Sequence, residues 1–129
     1  MENSLILTIF LVTSGILLTF IGAAFLFMPK KMKANQGIKI EGEVSMLNET
    51  RSASTLILVF ALLILFGAFE SGLSYIATLV SVLMLLSLGV GRLMSIVIDG
   101  IPVKALVIAT IVELVMGIIG AIMLIVYKV

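Results

Sequence analysis

Four long apolar runs dominate this chain and leave it few ways to fold. The first is Leu5 to Met28, and the others cover about residues 52–69, 73–98 and 103–127. At 1.5 Å per helical residue, each is about long enough to cross a hydrocarbon layer of roughly 30 Å. A helix is the natural form for such a run in lipid, because it satisfies its own backbone. The alternative is a soluble domain, and composition rules it out. The 129 residues are 62% hydrophobic and 12% charged, and a domain this small cannot hide that much apolar surface from water. The sequence predicts an all-α fold: a four-helix transmembrane bundle, one domain over residues 1–129, with no room for a soluble catalytic module.

The breaks between runs set the connectivity. Pro29 ends the first helix because it cannot continue the hydrogen-bond ladder. Residues 29–51 form the one polar stretch of any length, expected as a loop on the headgroups. Val44, Leu47 and Arg51 recur at helical spacing, so the second helix is expected to start near Glu43, before the membrane. Glu70-Ser71-Gly72 and Asp99-Gly100-Ile101-Pro102 are tight breaks. Connections that short make spans two and three, and spans three and four, antiparallel neighbours. Gly22-Ala23-Ala24 resembles a signal-peptide cleavage site. No basic residue precedes the first run, however, and a basic cluster follows it, so an uncleaved helix is expected.

That cluster also predicts orientation. Lys30, Lys31, Lys33, Lys39 and Arg51 lie between spans one and two, and Arg92 and Lys104 lie toward the turn between spans three and four. Only Lys128 lies at the opposite end. The positive-inside rule then puts both termini outside the cytoplasm, in a cell inner membrane. A net charge of +1 gives no dense basic face for nucleic acid. With no cysteine and no histidine, thiolate chemistry, haem ligation and the usual zinc sites are excluded. No cofactor, metal site or catalytic residue is expected.

Small residues recur at intervals of four: Gly15, Thr19 and Ala23 in span one, Ser87, Gly91 and Ser95 in span three, and Ala105, Ala109, Gly117 and Ala121 in span four. Such stripes let helices approach closely, within the bundle or between copies of the chain. Glu113 lies on the span-four stripe, about ten residues and roughly 15 Å into the helix. A carboxylate at that depth costs about 2.5 kcal/mol or more if it faces lipid, so it needs a partner. Arg92, roughly 10 Å deep in span three, is the candidate, because its side chain spans the difference in depth. Ser95 and Asp99 follow Arg92 on the same helical face. Asn48, Glu49 and Arg51 sit at the mouth of span two and are expected to complete a polar cavity open to the cytoplasm.

Gly89-Val90-Gly91-Arg92-Leu93-Met94-Ser95, then Asp99-Gly100-Ile101-Pro102, then Glu113-Leu114, resembles the signature of a family of small bacterial four-helix membrane proteins, the domain of unknown function number 4345. Asn48, Glu49 and Arg51 are similar to the element that opens helix two in that family. Where the family pattern continues into paired glycines, this chain reads Ser52-Ala53-Ser54-Thr55. The resemblance covers nearly the whole chain and implies fold and location but no activity.

Three functions are compatible with these residues. In the first, Arg92, Glu113, Ser95 and Asp99 line a cavity for a small anionic or lipid-like ligand, to bind or transport it. In the second, the small-residue stripes dock a partner or a second copy of the chain, and the charge pair sets the register. The third is an intramembrane lipid-modifying enzyme with Glu113 as acid or base. It is the weakest, because no nucleophile–base pair or metal cluster is visible.

Overall fold

The computed structural model describes residues 2–40 and 42–126, which fold as five helices with no strand among them. They are α1 (Glu2–Phe27), α2 (Pro29–Asn35), α3 (Val44–Phe69), α4 (Ser74–Asp99) and α5 (Lys104–Val126), with a 3₁₀ turn at Ser71–Leu73. α1, α3, α4 and α5 are long and apolar enough to cross a membrane. Their outer faces carry Ile9, Ile16, Phe20, Leu62, Phe66, Leu83, Ile111 and Ile118, all exposed. Water solvates such surfaces poorly and lipid solvates them well, which marks this as a membrane protein.

The bundle is two antiparallel hairpins, α1 with α3 and α4 with α5. Both are zipped by glycine seated against leucine. In the first, a side chain at Gly15 would meet Leu65, and one at Gly22 would meet the backbone of Leu58 at 2.7 Å. Moving seven residues up α1 moves seven residues down α3, so one register serves the whole interface. In the second hairpin the device is reciprocal: Gly89 of α4 seats Leu114, and Gly117 of α5 seats Leu86. Removing Cβ at such points lets backbones approach closely, which supplies the dispersion contacts that hold helices together in lipid.

The hairpins meet mainly in the half of the bundle away from the lysines. Ser81 of α4 donates its hydroxyl to Ser14 of α1 at 3.1 Å, both fully buried. Ser14 in turn donates to the Phe10 carbonyl at 2.8 Å. The Phe10 ring lies over Gly120 of α5, and Gly67 of α3 abuts Ala77 of α4 beside the Glu70 turn. Leu7, Phe10, Leu11, Leu18, Ala61, Ile64, Ala77, Leu85 and Met123 form the apolar core around these contacts.

The other end is filled by the connection between α1 and α3. Pro29 occupies the first turn of α2, where a missing N–H costs nothing. Gly37 adopts φ +78° just past the helix, with Ile38 N–H on the Lys33 carbonyl at 2.8 Å and Gly37 N–H on the Ala34 carbonyl at 2.9 Å. This double closure needs a left-handed residue, and glycine takes that conformation without strain. It turns the chain back against the protein: Ile40 is 1% exposed, and Gly37 lies against Val103 of the α4–α5 turn. The polar stretch therefore contains a folded helix that packs on α1 and α3, and the turn after it reaches the second hairpin at Val103. α3 does begin at Val44, just after Glu43. Glu41 and Lys128 lie outside the described residues.

Candidate functional site

The site is built on one side chain. Arg92 projects from α4 near the lysine-rich end, and its Nε donates to Oε1 of Glu113 on α5 at 2.8 Å. The hairpin register that seats Gly89 on Leu114 brings these two residues level. Glu113 is 4% exposed and Arg92 32%, so the carboxylate is enclosed while the guanidinium faces two ways. This is the one ion pair among the described residues. A charge-assisted bond of this kind compensates a carboxylate that lipid would otherwise penalise. Thr110, one turn earlier on α5, is also buried and donates to the Leu106 carbonyl at 2.8 Å.

On its inner side Arg92 closes a cavity of about 150 Å³. The polar lining is Arg92 itself with Lys33 and Gln36 from the α2 region and Thr50 and Ser54 from α3. The apolar lining is Ile21 and Phe25 from α1, with Ala53 and Ile57 from α3. Lys33 Nζ stands 5.7 Å from the centre of the Phe25 ring, within range of a cation–π attraction. Burial pushes the Lys33 ammonium below the usual lysine range, and the nearby charge of Arg92 pushes it further the same way. Two cations thus face one small space, with the Glu113 carboxylate paired to Arg92 and Glu49 in the groove on the outward side of Lys33. On its outer side Arg92 borders a groove of about 430 Å³ between α4 and α5, lined also by Ser87, Gly91, Ser95, Pro102 and Thr110.

The residues expected at the mouth are spread over several places. Ser95 shares the outer groove with Arg92, but its hydroxyl donates to Asp99 Oδ2 at 3.0 Å on an exposed face. Arg51 donates through Nη1 to the Leu26 carbonyl, one of the free carbonyls ending α1, where a cation also suits the helix dipole. Glu49 lines an outward groove with Lys33 and Thr50. Asn48 is exposed and borders neither of the spaces next to Arg92.

Lys33, Gln36, Thr50 and Ser54 are the cavity residues that the sequence did not single out. Lys33 reads there as one of several topology-setting lysines. The signal that separates it is the bracket of Pro29 and Gly37, which marks a short helix folding back toward the bundle. Of the three stripes, Gly15 of α1 and Gly117 of α5 make close approaches, as does Gly22, which lies on none of them, whereas Ser87, Gly91 and Ser95 face outward, and a side chain at Gly91 would meet nothing within 4 Å.

No curated protein and no solved structure matches the chain. One family model does, over residues 6–124, and with it the four apolar helices and the Arg92–Glu113 pair acquire a family: the chain belongs to the one described as Domain of unknown function (DUF4345).

Proposed function

We propose that this membrane protein is a binding module for a small anionic ligand, taken into the cavity between Lys33 and Arg92 at the lysine-rich end. The observation that supports this is the placement of the two cations. Like charges brought together in a half-dry space repel each other, and an anion between them relieves that cost. Glu113 holds Arg92 from behind and fixes the direction of its remaining donors, which fits a preorganised receptor. The lysine-rich end is the cytoplasmic one in this proposal, with both termini outside and the protein in the cell inner membrane.

Intact-mass analysis of the detergent-purified protein tests the reading. The expected spectrum carries a bound adduct that Lys33→Gln reduces. Bare protein in both spectra would remove the proposal. An accessory role, docking a second copy, has one observation in its favour: the outward-facing stripe of Ser87, Gly91 and Ser95 beside the outer groove. Ligand transport would require the cavity to open on the far side as well, where the hairpins are in contact through Ser14 and Ser81.

A further inference from the structure

The cavity's charge and lining narrow the chemistry of its occupant. We propose that the site takes the phosphodiester of an anionic phospholipid, with Lys33 and Arg92 on the phosphate and the glycerol and first acyl carbons lying along Phe25 and Ile57. This rests on the anion-binding reading above and names its ligand class.

Charge balance comes first. Lys33 and Arg92 are the charged groups that line the cavity, and Glu113 pairs with Arg92 at 2.8 Å, while Glu49 shares only the outward groove beside Lys33 and makes no ion pair with it. Within the cavity and its ion pair the surplus is a single positive charge. A phosphodiester carries one negative charge and neutralises it, whereas a phosphate monoester carries about 1.5 to 2 and overshoots. Geometry comes second. The polar groups approach from separate directions: Lys33 and Gln36 from the α2 region, Thr50 from α3 and Arg92 from α4. A tetrahedral phosphate presents oxygens in several directions, while a carboxylate presents two in one plane. The guanidinium is also suited to phosphate, because its donors form a rigid fork.

The apolar part of the lining gives the third argument. Phe25 and Ile57 face the same space as the cations. A free inorganic anion has no use for such a wall, but the tail end of a headgroup does. Height is the fourth. Arg92 lies inside α4, and Lys33 lies on α2, beyond the end of α1. The cavity between them is thus at the boundary between hydrocarbon and headgroups, where lipid phosphates already reside.

The full-length protein is reconstituted separately with phosphatidylglycerol, oleate or inorganic phosphate in a phosphatidylcholine background, and retained adducts are counted by native mass spectrometry. The expected result is retention of phosphatidylglycerol that falls roughly five- to tenfold in Lys33→Gln, the size of effect one lysine has at a membrane surface. Lys33→Arg should restore it. Lys31→Gln should leave it unchanged, because Lys31 is exposed on the same short helix and borders no part of the cavity. Equal losses in Lys31→Gln and Lys33→Gln would show diffuse surface attraction and overturn the site. Oleate retained as well as phosphatidylglycerol would overturn the phosphodiester while leaving an anion site. Lys33-dependent retention of inorganic phosphate alone would overturn the lipid. No Lys33-dependent retention of any probe would overturn both this proposal and the reading beneath it.

Discussion

At the scale of single residues, the Arg92–Glu113 pair carries the largest consequences. Removing one partner leaves a charge with no compensation in a place that water reaches poorly, which typically costs 3–5 kcal/mol, roughly, in a buried pair. Arg92→Leu and Glu113→Leu should therefore each lower the thermal midpoint of the detergent-solubilised protein sharply. The double replacement should recover most of the loss, since apolar residues often substitute for a buried ion pair at little cost. A double variant no more stable than the singles would mean that the pair does more than compensate itself. This pair was legible in the sequence because charge inside an apolar run is expensive, so each member announces a need for the other. Lys33 announced nothing: a lysine in a polar stretch is cheap wherever it points. Only the turn at Gly37, which carries the chain back onto Val103, brings it to face Arg92. The bond from Ser81 to Ser14 was hidden for a similar reason. A serine in a helix satisfies itself on its own backbone, as Ser14 also does with Phe10, and so gives no hint of a partner 67 residues away.

At the scale of the helices, contacts at the glycines rank their substitutions. Gly22→Ala would drive a methyl group into the Leu58 backbone, which cannot step aside, whereas Gly15→Ala would meet the movable end of the Leu65 side chain. Gly91→Ala would meet nothing within 4 Å. The expected order of destabilisation is Gly22, then Gly15, then Gly91. The first should fall in the range of about 1–3 kcal/mol usual for overpacking, and the last should be close to zero or slightly favourable. Unfolding in a denaturing detergent, followed by circular dichroism, gives the order directly, and a Gly91→Ala variant as damaged as Gly22→Ala would contradict it. The four long apolar helices were readable in the sequence, since length and hydropathy are local properties. The pairing of their faces was not. Spacing by four marks a flat strip on a helix, but it does not say what lies on it. α1 uses Gly15 and Gly22, seven apart, and the strip through Gly91 turns away from the bundle.

At the scale of the whole molecule, orientation is the property to measure, and the absence of native cysteine makes it simple. Ser71→Cys lies in the exposed turn at the end away from the lysines, and Ser45→Cys lies in the exposed first turn of α3 at the lysine-rich end. A maleimide that cannot cross membranes should label the first in intact cells and the second only after permeabilisation. The reverse pattern would invert the proposed topology. The sequence spoke to this scale through its basic residues, and the four-helix architecture followed from run lengths alone. The division into two hairpins did not follow, because it depends on which glycines meet which leucines.

The joint between those hairpins lies toward one end, at Ser14 with Ser81, Phe10 with Gly120 and Gly67 with Ala77. Toward the other end the connection packs on α1 and α3 and reaches the second hairpin at Val103. Spontaneous opening is governed by how many contacts must break at once, and segments with few of them open first. Opening is therefore expected to be graded along the long axis of the bundle, the Glu70 side staying shut while the side that holds Lys33 and Arg92 opens more readily. Faster amide hydrogen exchange toward the Asp99 end of α4 than toward its Ser74 end would show it.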